Sequence, residues 1–347
     1  MSPATGGTAD GSVVDAARRE LVSTSMGDYA DAHPDLRYLF FGGKGGVGKT
    51  VMAGVTALHL ASTGKRVLLA STNPVHSLSG LLDQDVFGTH TPVAGAENLW
   101  ALEIDTRESI ERAKRDIKEK IEWFLAFAEI KTKADEFVGA ATTNPAFEES
   151  AMFENMTDLM FADDYDAYVF DTAPTANARR LLGMSKVYAL WVNKMVKSRE
   201  EAQSLRELLS FTKKKQDDPL MTYLVEFQER ISHARELLTD PERTAFFFVT
   251  LPEALPIAVI RRFIGWFTDF GIPVGGVVVN QVIEPGDLGS VPDFVRNRVA
   301  MQSEHLQTVG TEFPGMVRGV LPLHDDEIRG LERLRPTAAE LFGATVR

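Results

Sequence analysis

The chain of 347 residues contains no cysteine. That absence removes disulfides, iron–sulfur ligation, thiolate zinc sites and cysteine nucleophiles together. Positive charge is also scarce: 37 Lys and Arg stand against 49 Asp and Glu, a formal net charge of −12. Broad electrostatic capture of nucleic acid needs a clustered basic surface, so no nucleic-acid partner is expected. The densest basic run, Lys213-Lys214-Lys215, passes straight into Gln216-Asp217-Asp218 and reads as a solvated turn. No apolar run reaches the ~18 residues of a membrane span. The opening residues, MSPATGGTADGS, have neither the basic nor the apolar region of an export signal, so a cytoplasmic location is expected.

With 44% hydrophobic and 25% charged residues, the chain has the composition of a protein that buries a sizeable core. Residues 1 to about 34 are rich in Gly, Ser, Thr, Ala and Asp and read as a mostly mobile arm, with one short helix around Val13–Val22. From residue 35 to 347 the pattern changes. Short, nearly all-apolar runs at Leu36–Phe41, Arg66–Ala70, Leu99–Ile104, Ala167–Phe170, Thr244–Thr250 and Val274–Asn280 are expected to be strands buried on both faces. Helical stretches alternate with them, including Gly48–Thr63, Ser109–Glu129, Pro256–Phe270 and Asp325–Arg333. The alternation predicts an α/β fold with a doubly wound, mostly parallel sheet. Two long helix-patterned stretches, about 105–162 and 181–240, have no clear strand and read as helical insertions into one composite domain.

The first strand runs directly into Gly42-Gly43-Lys44-Gly45-Gly46-Val47-Gly48-Lys49-Thr50 and then a helix. This is the phosphate-loop pattern GxxxxGK[ST] in its strand–loop–helix setting. Its glycines let backbone N–H groups turn onto phosphate oxygens, and the helix N-terminus adds a favourable dipole. Lys49 is placed to reach the β- and γ-phosphates of ATP, and the Thr50 hydroxyl to ligate Mg²⁺. Asp171, directly after an apolar strand, suits the carboxylate that orders the magnesium shell.

The extra lysine, Lys44, narrows the class. Lys44-Gly45-Gly46-Val47-Gly48-Lys49-Thr50 resembles the deviant phosphate loop of the MinD/ParA, nitrogenase iron-protein and ArsA ATPases. Further segments resemble the ArsA/Get family, which comprises arsenite-pump ATPases and the targeting ATPases of tail-anchored membrane proteins. They are Ser71-Thr72-Asn73-Pro74-Val75-His76-Ser77, Asp171-Thr172-Ala173-Pro174-Thr175, Pro145–Glu149, Val278-Val279-Asn280-Gln281 and Leu321-Pro322-Leu323. The resemblance covers nearly all of the chain after its N-terminal arm. It implies a homodimer closed by ATP, with Lys44 crossing to the partner's nucleotide and with Asn280, Pro322 and Leu323 holding the adenine.

Where that family has an aspartate that positions and polarises the attacking water, this chain has Asn73. An amide can hold a water but cannot take its proton, so turnover should fall by ~10²–10⁴ while binding survives. The substitution fits either a natural slow hydrolase or an engineered trap of the ATP state. Two further departures are Val51 for a threonine and Ala176-Asn177-Ala178 for Gly-His-Thr. Among the family's roles, arsenite pumping calls for soft thiolates, which the chain lacks. The zinc clasp of the targeting ATPases needs cysteines too, and none stands near Val291–Ala300, so no zinc is expected. A hydrophobic client helix or membrane-protein partner is the remaining family role. The apolar positions Met184, Val187, Leu190, Trp191 and Met195, and the block Leu220, Met221, Leu224, Val225 and Phe227, either pack against the rest of the fold or would meet such a client. A MinD- or ParA-like spatial organiser is the alternative of a different class, although the short C-terminus after Pro336 is only weakly basic.

Overall fold

The computed structural model describes residues 12–72, 77–127, 145–171, 219–284 and 291–343. Eight strands form one sheet in the order β3-β4-β2-β5-β1-β6-β7-β8. In chain order they are β1 (Tyr38–Gly42), β2 (Val67–Ser71), β3 (Thr91–Pro92), β4 (Leu99–Glu103), β5 (Ala167–Asp171), β6 (Thr244–Thr250), β7 (Val274–Val282) and β8 (Val317–Pro322). Every pairing is parallel except the short β3–β4 contact at one edge. Strands β1, β2, β5 and β6 are buried at every residue, which is why their sequences are continuous apolar runs with no alternation.

Two helical layers cover the sheet. On one face Leu39, Phe41, Leu69 and Phe247 pack against α3 (Lys49–Ser62), α4 (Ser77–Leu82), α2 (Met26–Ala32) and the helix Gly330–Phe342. On the other, Tyr38, Phe40, Leu68 and Phe248 meet α1 (Val13–Leu21), the helix Asp293–Glu312 and the ends of the helices Pro145–Ala162 and Pro219–Thr239. Phe40 lies between Phe246 and Phe170, with ring centroids 4.3 and 4.8 Å away, so three adjacent central strands are bound by stacked aromatics as well as by their ladder. The doubly wound sheet expected from the alternation is the fold.

Two expectations change, and further elements appear. Residues 12–34 are not a mobile arm: α1 and α2 bury Val14, Ala17, Leu21 and Met26, and their Ser12 and Ser25 side chains cap them. The helix expected at Asp325–Arg333 runs instead from Gly330 to Phe342 and passes through Pro336. Burial of Leu334, Ala338, Leu341 and Phe342 outweighs the lost N–H of the proline. Strands β3 and β8 and the helix Asp293–Glu312 are additional elements. In the stretch 105–162, the segments Thr106–Phe127 and Pro145–Ala162 are helical, and Met156 and Met160 pack beneath the sheet. Among the described residues no helix is long and apolar enough to cross a membrane.

Candidate active site

Strand β1 lies between β5 and β6; the chain leaves it toward β2 on one side, and returns from β5 to β6 on the other. That switch in winding direction opens a crevice at the carboxyl ends of the strands, where ligands of doubly wound sheets bind. The glycine loop after β1 lies there. Gly43, Gly46 and Gly48 take φ values of 143°, 79° and 93°, in the region that favours glycine. A Cβ on Gly43 would stand 2.4 Å from the Val249 carbonyl oxygen, so only glycine lets the loop turn this tightly over β6. Gly45 and Gly46 are exposed, Lys44 is half-buried and Val47 is buried as the loop's anchor in the core.

Helix α3 begins at Lys49 from Gly48, with no side chain capping its N-terminus among the described residues. Its first amides therefore stay available to an anion, where the helix dipole is favourable. The Lys49 ammonium donates to the Lys44 carbonyl at 3.2 Å, which folds the side chain back over the loop. Burial holds that ammonium below the ordinary lysine range, and the Asp171 carboxylate opposes the shift. A buried cation beside the uncapped N-terminus of a helix is chemically suited to polyphosphate.

Asp171 closes β5 and is 1% exposed. Its Oδ2 accepts from the Thr50 hydroxyl at 2.7 Å and from the Ser71 hydroxyl at 3.2 Å. Burial pushes its carboxyl above the usual range; the Thr50 bond, the Lys49 charge and the Ser71 bond pull it back, and Glu103 pushes it further up. The structure thus brings Thr50 and Asp171 together as the sequence predicts. A hydroxyl and a carboxylate in contact beside a phosphate seat are hard oxygen ligands that suit a hydrated divalent ion. Among the described residues no three His, Cys, Asp or Glu gather to hold a metal ion.

On the other side of the loop, Asn280 of β7 donates from Nδ2 to the Val47 carbonyl at 3.0 Å. A Cβ on Gly48 would fall 2.3 Å from the same nitrogen, so Asn280 leaves room only for glycine at position 48. Pro322 ends β8 opposite Val282, and the Leu323 amide donates to the Val282 carbonyl at 2.8 Å. Leu323 is 49% exposed, an apolar surface just past the end of β8 rather than part of the core. Asn73, the segment after Asp171 and the apolar positions Met184 to Met195 lie outside the described residues. Val225, on the helix Pro219–Thr239, is exposed.

Glu103 was absent from the sequence reading, yet it is a buried carboxylate at the carboxyl end of β4. It accepts from the Leu78 amide at 2.6 Å and from the Ser79 hydroxyl, fixing the start of α4. The signal was present: a single acid inside the otherwise apolar run Leu99–Ile104.

Comparison with known proteins fits this geometry. The sequence pattern of the anion-transporting ATPases, the ArsA type, matches residues 36–343. The chain belongs to that family. Among its relatives, ATPase ASNA1 homolog 2 of Paramecium tetraurelia is 28% identical over 309 residues, covering 87% of this chain and 92% of the relative. A putative arsenical pump-driving ATPase 2 of Aquifex aeolicus is 29% identical, over 86% of this chain and 97% of its own. ATPase GET3A of Arabidopsis thaliana is 30% identical, over 86% and 82%. As a member of the ArsA/GET3-type family the chain is an ATPase, and the loop Gly43–Thr50 with Asp171 is its candidate nucleotide site.

Proposed function

We propose that this ArsA/Get-type ATPase binds Mg-ATP at the loop Gly43–Thr50 and works in the cytoplasm as a homodimer closed by nucleotide. The contact of Thr50 with Asp171 directly beneath the loop carries the reading. A bound magnesium ion would neutralise charge on the transferring phosphates. The chain's own groups do the rest. Lys49 and the α3 amides hold the phosphates, Asp171 orients the Thr50 hydroxyl and the water around the metal, and Asn280, Pro322 and Leu323 flank the base. Lys44, half-buried on the rim of the loop, reaches the partner's nucleotide in the closed dimer.

Asn73 takes the water-positioning role without a charge, so the enzyme is slow and the closed state is long-lived. With neither thiolates nor a zinc clasp available, the dimer is held by nucleotide and apolar contacts, and metalloid pumping is disfavoured. A hydrophobic segment of a membrane protein is the client class that this leaves. The test is the ATPase rate of the wild-type chain and of Asn73→Asp at saturating Mg-ATP. The aspartate variant should turn over ~10²-fold faster or more with an unchanged dissociation constant for ATP. Equal rates would remove Asn73 from the catalytic assignment.

A further inference from the structure

The helices α1 and α2 precede the family match, which begins at residue 36, yet they are bonded to the strands that flank its nucleotide site. Glu284 stands two positions beyond β7. Its Oε1 accepts from the Val14 amide at 2.7 Å and from the Ser12 hydroxyl, placing a carboxylate at the N-terminus of α1, where the helix dipole favours it. One turn along, the Arg18 Nε donates to the Val320 carbonyl of β8 at 2.8 Å, two residues before Pro322. A single helix thus ties the end of β7 to the end of β8.

Those two ends are joined by an irregular ladder. The β7–β8 register shifts between Val279 and Val282, the interval that contains Asn280, and resumes at the pair Val282 and Pro322. The separation of Asn280 from Leu323 across that irregularity is therefore not set by a regular ladder, and contacts from outside the sheet bear on it. Helix α1 has little freedom to slide, because Leu21 packs so closely on Gly310 that a Cβ there would stand 2.8 Å from its Cδ2. Arg318 of β8 holds the following segment, donating to the Thr24 carbonyl at 3.3 Å and to the Gly275 carbonyl of β7 at 2.7 Å while its guanidinium lies 5.0 Å over Tyr29.

We propose that α1 and α2 are a clamp on the base side of the nucleotide site, with Arg18 and Glu284 as positioning residues that set the spacing of Asn280 and the Pro322–Leu323 turn. The role rests on the ATPase reading above and deepens it: the N-terminal helices would tune affinity for the nucleoside part of ATP and leave the phosphate seat alone.

The test uses the full chain and two probes, ATP and inorganic tripolyphosphate, each with magnesium. Arg18→Met keeps the aliphatic packing and drops the donor, and it is combined with Glu284→Ala. The dissociation constant for ATP should rise about three- to tenfold while that for tripolyphosphate stays within about twofold, and exchange of the Leu323 amide should quicken. Arg18→Lys keeps the charge without the Nε donor and should weaken ATP in the same direction, which preserves the test if the double variant does not fold. Equal weakening of both ligands, or unchanged ATP affinity in a folded variant, would overturn the clamp. A wild-type chain that binds neither ligand would instead overturn the ATPase reading, and the clamp with it.

Discussion

On one side of the phosphate loop, strands β5, β2 and β4 end side by side in Asp171, Ser71 and Glu103. On the other side, β7 and β8 present Asn280, Pro322 and Leu323, none of them charged. The first group is buried and bonded, with Asp171 and Glu103 each 1% exposed, whereas Leu323 is about half open. Burying two carboxylates at strand ends separated by a single strand is costly unless each has partners. Here Thr50, Ser71, the Leu78 amide and Ser79 supply them. The sheet thus concentrates charge where phosphate transfer needs it, and leaves the base side to shape and neutral hydrogen bonds. The charged side should respond steeply to substitution and to pH, and the neutral side shallowly.

The largest effect should come from Lys49→Met. It removes the ammonium that faces both the loop and Asp171. Loss of one preorganised donor to a transferring phosphate costs ~10²–10³-fold in rate, and more where binding is lost as well. Turnover and calorimetric ATP affinity measured together should both collapse; a variant with affinity close to wild type would erase the proposed contrast between the two sides.

Asp171→Asn should be next, and it acts in two directions. Turnover with magnesium should fall by about 10² or more as the ordering carboxylate is lost. Stability of the nucleotide-free protein should rise at neutral pH, because burial raises the folded-state pKa of Asp171 above its unfolded value. An acid shifted upward binds more protons folded than unfolded, so its ionisation weakens the fold as pH climbs from the ordinary carboxylate range through the raised value. The variant lacks that penalty. Its melting temperature should exceed that of wild type by ~1–2 °C per kcal/mol relieved at neutral pH, with the gap closing in acid. A gap that widens in acid would contradict the burial assignment.

The parts of this arrangement that could be read in the sequence are those where burial or chemistry leaves one solution. Strands buried on both faces, such as Thr244–Thr250, are unbroken apolar runs, and the glycine loop has no common alternative when it follows such a strand. Strand β8 was hidden because Arg318 and Gly319 break its pattern. The guanidinium of Arg318 finds carbonyls on neighbouring segments, and a Cβ at position 319 would stand 2.5 Å from Leu341. Helix α1 was legible as a short helix around Val13–Val22, because Val14, Ala17 and Leu21 keep a helical spacing and Ser12 caps it; what the polar composition around it hid was that this helix and α2 pack onto the sheet. The helix through Pro336 was misplaced because local propensity yielded to the burial of its apolar face. Glu103 stood out as a lone acid in an apolar run, but its partners, the Leu78 amide and Ser79, are brought to it only by the fold.

The smallest effect belongs to the neutral side, and it tests the comparison most finely. Asn280→Ala removes the bond from Nδ2 to the Val47 carbonyl, the direct link from β7 to the phosphate loop. A neutral hydrogen bond contributes ~0.5–1.5 kcal/mol net, so ATP affinity should drop only about two- to tenfold, with turnover at saturation nearly unchanged. Gly48→Ala gives the counterpart, since its new Cβ would meet Asn280 at 2.3 Å and Gly48 sits at φ 93°. Combining the two substitutions removes the collision but leaves the backbone strain of ~1–3 kcal/mol. The double variant should therefore bind ATP better than Gly48→Ala alone and worse than Asn280→Ala alone. If the two losses simply add, Gly48 and Asn280 do not meet, and the loop is held from the β7 side by some other contact.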